Sequence, residues 1–214
     1  MDDPACNLEK LQATYRHFAA VNRRFSGWEQ LYRRYLQPRL QPGQTYTLLD
    51  IGFGGGDIPR NLLEWAQQGG VTLEITAIDP DARAAAFART LPPTEGLRFL
   101  QTDTRTLSQT GARFDIVISN HLLHHLSPND LRGLLADSSR LGQLVLHNDI
   151  VRSDSAFLGF ALLTAARYPG SLITPDGLTS IRRSYTPAEL RARVPEGWQV
   201  DRPLRYRLLL SQGL

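Results

Sequence analysis

Four of the chain's five histidines, His121, His124, His125 and His147, fall just past two short apolar runs, Phe114 to Ser119 and Leu141 to Leu146. Imidazole titrates near neutral pH, so a histidine beyond a strand end can remove the proton of a bound phenol or enol. His121 and His124 are the candidates for such a base. His125 reads as a structural group that does no chemistry, and His147, with Asn148 and Asp149, as a structural group that stands second for the role. If a helix begins near His121, His124 and His125 lie one turn further on the same side. That spacing permits a metal pair, but no acid-histidine cluster nearby completes a ligand set, and no metal is expected.

A second constellation lies upstream. Leu48 to Ile51 is a short apolar run broken by Asp50, and four glycines in five positions follow it: Gly52, Gly54, Gly55 and Gly56. Glycine removes side chains where the chain must turn sharply and lets backbone N–H groups approach a ligand. Two further aspartates end later runs, Asp79 before Pro80 and Asp103 before Thr104. Each acid has a structural alternative: Asp50 as a cap of the glycine loop, Asp79 as the N-cap of the next helix, Asp103 as the pin of a turn. Three acids at the ends of three successive strands favour a nucleoside site. Asp79 can take both ribose hydroxyls and Asp103 an adenine amino group. Asp50, Gly52, Gly54, Gly56, Asp79, Pro80, Asp103, Thr104 and Ser119 form the expected set of ligand contacts.

The elements that position these residues alternate. Apolar spacing over residues 7–40 predicts two helical segments, broken near Ser26-Gly27 and closed by Pro38. Strands are expected at 48–51, 71–78, 97–100, 114–119 and 141–146, with helices over 57–68, 81–90 and 128–137 between some of them. Strands alternating with helices require a parallel sheet with helices on both faces. The expected fold is therefore α/β, doubly wound. Beyond residue 150 an apolar helix over 156–168, a loop over 169–184 rich in Gly, Ser, Thr and Pro, a helix opened by Thr186-Pro187 and a terminal pair of strands are expected.

At 214 residues and 24.0 kDa the chain suits one well-buried domain. A composition of 42% hydrophobic and 21% charged residues argues against disorder. Net charge is +3, and Lys10 is the one lysine among 24 basic residues. The arginines are scattered, so no nucleic-acid stripe emerges and no nucleic-acid partner is expected. The longest nearly uninterrupted apolar run, Ala156 to Ala166, is far short of the roughly 20 residues needed to span a bilayer, and no signal segment opens the sequence, so a cytoplasmic protein is expected. The single Cys6 excludes an internal disulfide.

The ordered set Leu49-Asp50-Ile51-Gly52-Phe53-Gly54-Gly55-Gly56-Asp57, Ile78-Asp79-Pro80, Asp103, and Phe114 to Asn120 followed by His121-Leu122-Leu123-His124-His125-Leu126 resembles the class I S-adenosylmethionine-dependent methyltransferases over about residues 46–150. The Gly-Asp-Ile-Pro continuation and the Leu-His-His-Leu segment resemble the small-molecule enzymes associated with type III polyketide synthases and with quinone biosynthesis. Phe53 departs from the commoner small residue there, at no cost to a backbone contact. The resemblance implies a mostly parallel seven-stranded sheet with a C-terminal antiparallel hairpin and an N-terminal helical lid over 1–42. It further implies a cofactor core over 46–150, an acceptor-side insertion over 151–185 and a C-terminal helix and hairpin over 186–214, with S-adenosylmethionine as cofactor. The glycine loop would lie under its methionine part with Asp50 near the amino group.

On this reading Tyr15, Phe18, Phe25, Trp28, Phe157, Phe160 and Leu163 build an apolar lid over an aromatic or lipid-like acceptor, methylated on oxygen or on an activated ring carbon. Alternatives are methylation of RNA, a nucleoside-binding module without chemistry, and an NAD-dependent oxidoreductase. Against RNA, the segment after Ser119 lacks the Pro-Pro-aromatic tetrapeptide that grips an exocyclic base nitrogen. A dinucleotide would bring two phosphates against Asp57.

Overall fold

The computed structural model describes residue 1, residue 3 and residues 5–214. Seven strands form one sheet: β1 (Thr45–Ile51), β2 (Thr72–Ile78), β3 (Leu97–Leu100), β4 (Phe114–Asn120), β5 (Gly142–Ile150), β6 (Gln199–Asp201) and β7 (Arg207–Gln212), in the order β3-β2-β1-β4-β5-β7-β6. The first five run parallel, and β7 returns antiparallel between β5 and β6. The order reverses between β1 and β4, so the crevice outside their carboxyl ends is where such a sheet binds ligands. Their registers agree there, with Ile51 opposite both Ile78 and Ser119.

Two helices precede the sheet: α1 (Leu8–Phe25) and α2 (Trp28–Leu31), the latter running on through a wider turn at Tyr32–Leu36. Asn7 caps α1 by accepting from the Lys10 N–H. Then come α3 (Asp57–Gln68), α4 (Ala82–Ala88), α5 (Thr104–Gln109), α6 (Pro128–Leu141), α7 (Asp154–Thr164), α8 (Ile173–Arg183) and α9 (Pro187–Arg191). The last opens on a capping box between Thr186 and Glu189.

Alternation along the strands divides the core. Leu48, Ile116, Ile118, Leu144, Leu146 and Leu209 pack under α2 and α3 on one face, while Leu49, Val117, Val145, Leu208 and Leu210 pack with α6 and α9 on the other. A smaller cluster, with Leu11 and Tyr15 of α1 and Phe87 of α4, closes over Phe53 and the β2 end. This places α1 across the glycine loop.

Three expectations are corrected. Residues 169–184 are not a loop throughout, since α8 occupies 173–183. Its Pro175 falls in the first turn, where the missing N–H costs nothing. Gly177 allows a close crossing with α7, because a Cβ there would lie 2.3 Å from the Phe160 ring. No helix begins at His121: the segment holds a single 3-10 turn at Leu123–His125, and His121 itself has a φ of 56°. Helix α5, unforeseen, begins at Asp103, whose carboxylate accepts the Thr106 N–H at 2.7 Å. Among the described residues no helix is long and apolar enough to cross a membrane.

Candidate functional site

A cavity of about 1210 Å³ opens at the carboxyl ends of β1, β2 and β4, under α1, α7 and α8. Its deep polar side is built by the loop after β1. Gly52, Gly54 and Gly56 have φ values of 78°, 50° and 71°, a region that side-chain-bearing residues rarely adopt. The Gly54 N–H donates to Asp79 Oδ2 at 3.1 Å, and Asp79 Oδ1 accepts the Asp81 N–H at 2.9 Å. Asp79 thus ties the loop to the end of β2.

The carboxylates below the loop are crowded. Asp50 is 2% exposed, and its Oδ2 has no hydrogen-bond partner. Burial, then the neighbouring charges of Asp57 and Asp79, push its pKa up to about 8. Asp57, also buried, opens α3 and accepts both of its hydrogen bonds from the Asn22 amide, at 3.2 and 3.0 Å. Burial raises it to about 6, against the Asn22 bond. Asp79 is raised chiefly by burial. Three buried acids whose ionisation burial opposes thus cluster around one glycine loop. An orphaned, buried carboxylate oxygen calls for a cationic donor.

Other expected contacts sort by strand parity. Pro80, Asp103 and Thr104 line the cavity with Asp50, Gly52, Gly54 and Asp79. Asp103 is exposed and caps α5, and Thr104 donates to Asp137 at 3.2 Å. Ser119 does not line it. It shares the face of Val117, is fully buried, and its hydroxyl pairs with His147 Nδ1 at 2.8 Å. Gly56 also lies off the cavity wall: a Cβ there would meet the Phe99 ring at 2.9 Å, so this glycine serves packing.

The histidines separate in the same way. His147 is fully buried, stacked on Trp198 at 5.6 Å, and burial lowers its pKa to about 3, so it is a neutral core group away from the cavity. His121 and His124 both line the cavity. His121 Nε2 meets Arg207 Nη1, and burial followed by the Arg207 charge holds its pKa well below 6.5. His124 is 6% exposed; its Nδ1 lies 2.7 Å from Asp149 Oδ1, and its own N–H donates to Asp149 Oδ2 at 3.1 Å. Burial raises Asp149, but attraction to His124 and its hydrogen bonds outweigh that and keep it ionised. A carboxylate on Nδ1 assigns the proton to that nitrogen and leaves Nε2 as the acceptor.

Asn22 and Arg207 line the cavity without having been read from the sequence, and Asp149, read there only beside His147, lies behind the wall against His124. Arg207 opens the apolar run Leu208-Leu209-Leu210, and a cation at the head of a buried strand is the signal that marks it.

The mostly parallel seven-stranded sheet with its C-terminal antiparallel pair is a fold shared with solved structures of methyltransferases. Residues 48–142 match the family model described as a methyltransferase domain. An uncharacterized methyltransferase of Mycobacterium tuberculosis and one of Mycobacterium bovis are each 36% identical over 104 residues, 49% of this chain and 47% of theirs. The chain thus spans about half the length of the curated relatives it matches. Among solved structures, human N-acetylserotonin methyltransferase in complex with SAM superposes with a TM-score of 0.63 at 15% identity, over 96% of this chain and 56% of that one. The plantazolicin methyltransferase BpumL in complex with SAH gives 0.60 at 14% identity, over 95% and 93%. At these identities the likeness is one of fold.

Proposed function

We propose that the chain is an S-adenosylmethionine-dependent methyltransferase acting on an oxygen, or an activated ring carbon, of an apolar aromatic small molecule such as a polyketide-derived phenol or a quinone precursor. The observation that carries the reading is the unpartnered Asp50 Oδ2 beneath the glycine loop. An ammonium group beside a sulfonium suits it by favouring the ionised carboxylate, whereas a pyrophosphate would oppose the ionisation of Asp50, Asp57 and Asp79 further. Asp50 would hold the amino group, Gly52 and Gly54 the methionine part, Asp79 the ribose and Asp103 the adenine. Bound there, S-adenosylmethionine would supply an activated methyl group, with the C–S bonding pair leaving on sulfur.

The residues of this chain do the rest. Thr14, Phe18, Phe25, Phe160 and Leu163 line the outer part of the cavity from α1 and α7 and would exclude water around an aromatic ring. His124 Nε2 takes the acceptor's proton, and Asp149 stabilises the imidazolium that results. His121 is the weaker candidate, because Arg207 already occupies its Nε2. A small-molecule acceptor gains support from neighbours of this fold that carry plantazolicin and N-acetylserotonin in their names.

Calorimetric titration with S-adenosylmethionine tests the reading. Asp79→Ala should weaken binding by about 1.5 to 3 kcal/mol, the range for hydrogen bonds to a charged group, since it removes the ribose acceptor and releases the Gly54 N–H together. Unchanged affinity in a folded variant would take Asp79 out of the site.

A further inference from the structure

Strand β7 starts at Arg207, opposite Ile150 of β5. The residue before it, Tyr206, has a φ of 113°, a strained conformation for a side-chain-bearing residue. Arg207 shares the face of Leu209, the face covered by the N-terminal helices. Its guanidinium donates to the Phe25 carbonyl at the end of α1 and meets His121 Nε2. Arg207 is 7% exposed and lines the cavity beside His121 and His124.

Both of those partners are neutral. The acid whose field reaches Arg207 is Asp149, and it is engaged by the His124 Nδ1, the His124 N–H and the Ile150 N–H. Among the described residues no carboxylate lies within ion-pair distance of Arg207. Burial lowers its pKa only to about 10, so it remains a cation at neutral pH. A guanidinium withdrawn from water, with neutral direct partners and Asp149 acting on it only from beyond ion-pair distance, has no direct counter-charge of its own. The site is therefore acidic at the glycine loop and basic at the β7 end.

We infer that the acceptor supplies a direct ion-pair partner: an anionic oxygen of the small molecule, carboxylate or ionised phenol, binds against Arg207 at the end of the cavity formed by α1 and β7. That the bound anion is a methyl acceptor rests on the methyl-transfer reading; the anion site itself does not. A planar guanidinium with several N–H groups can hold such an oxygen while keeping its bond to Phe25. Arg207 would then select anionic over neutral aromatic molecules and orient the ring so that another oxygen or ring carbon faces His124.

The test uses matched aromatic pairs titrated calorimetrically into the full chain saturated with S-adenosylhomocysteine: 2,4-dihydroxybenzoate against its methyl ester for a carboxylate, 4-nitrophenol against 4-nitroanisole for a phenolate. The charged member of at least one pair should bind about tenfold or more tightly than its neutral partner. Arg207→Met should erase that preference, and Arg207→Lys, which keeps the charge without the fork, should retain part of it. If Arg207→Met does not fold, a reduced preference in Arg207→Lys supports the site equally. Equal or weaker binding of the charged member in both pairs, failure of both anions to bind, or a preference undiminished in the Arg207 variants would overturn the inference. Repeating the titrations without nucleoside separates the two readings: anion preference there, with no affinity for S-adenosylhomocysteine, keeps the Arg207 site and removes methyl transfer.

Discussion

Replacing His124 by alanine should lower turnover by about 100-fold to 10,000-fold, the usual worth of a positioned general base, while leaving the affinity for S-adenosylmethionine nearly unchanged. The reason is geometric. Asp149 accepts hydrogen bonds from both the Nδ1–H and the backbone N–H of His124, which fixes the ring in one orientation with Nε2 as the basic nitrogen. Asp149→Asn should therefore lower kcat as well, because an amide can donate to Nδ1 and favour the wrong tautomer, with the cofactor affinity again spared. His121→Ala should cost less, since Arg207 holds its Nε2 in the resting protein. Steady-state rates with any accepted phenol, set beside calorimetric affinities, check the split. A full rate in the His124 variant would remove it as base and leave catalysis to proximity with a pre-ionised acceptor.

Asp50→Asn should have opposite effects on binding and on stability. Its carboxyl has a folded-state pKa of about 8, raised by burial, Asp57 and Asp79. A group whose folded pKa is raised gives stability that is complete below its ordinary range and is lost as pH climbs toward about 8. The wild-type chain without ligand should lose stability across that window, and Asp50→Asn should flatten the loss. A cationic ligand binds the ionised form, so wild-type affinity for S-adenosylmethionine should rise as pH increases toward 8, with proton release. In Asp50→Asn the affinity should fall by about 1.5 to 3 kcal/mol at pH 8, and most of its pH dependence should vanish. Asp57, raised to about 6, leaves a smaller residual slope at lower pH. Thermal unfolding and calorimetry between pH 6 and 9 read both effects. Equal pH dependence in wild type and variant would place the cation elsewhere.

Much of this frame is local and hence legible in the sequence. The run from Leu48 to Ile51, the glycines after it and the acids closing Ile78 and Leu100 lie within single supersecondary units, and periodicity locates the strands that carry them. Helix α3 spans residues 57–68, and β3 residues 97–100, as periodicity and turn residues predict. What escaped depends on parity or on distance. Ser119 ends a strand as Asp79 nearly does, yet it shares the face of Val117 and so turns into the core toward His147. Helix α8 was hidden because Pro175 and Gly177 lower helix propensity, while the close packing of Gly177 on Phe160 is invisible before the chain folds. Arg207 meets His121 from 86 residues away, and Asn22 reaches Asp57 from 35. No local pattern encodes such pairs.

Methyl transfer from S-adenosylmethionine is tested most simply by following the methyl group itself. The full chain is incubated at pH 8 with S-adenosylmethionine carrying a deuterated methyl and with a panel of hydroxylated aromatic acids and quinone precursors, and products are read by mass spectrometry. Label should appear on at least one aromatic acceptor in equal amount to the S-adenosylhomocysteine formed, greatly reduced in His124→Ala. No labelled product from any acceptor, with NADH bound tightly and S-adenosylhomocysteine not at all, would contradict methyl transfer.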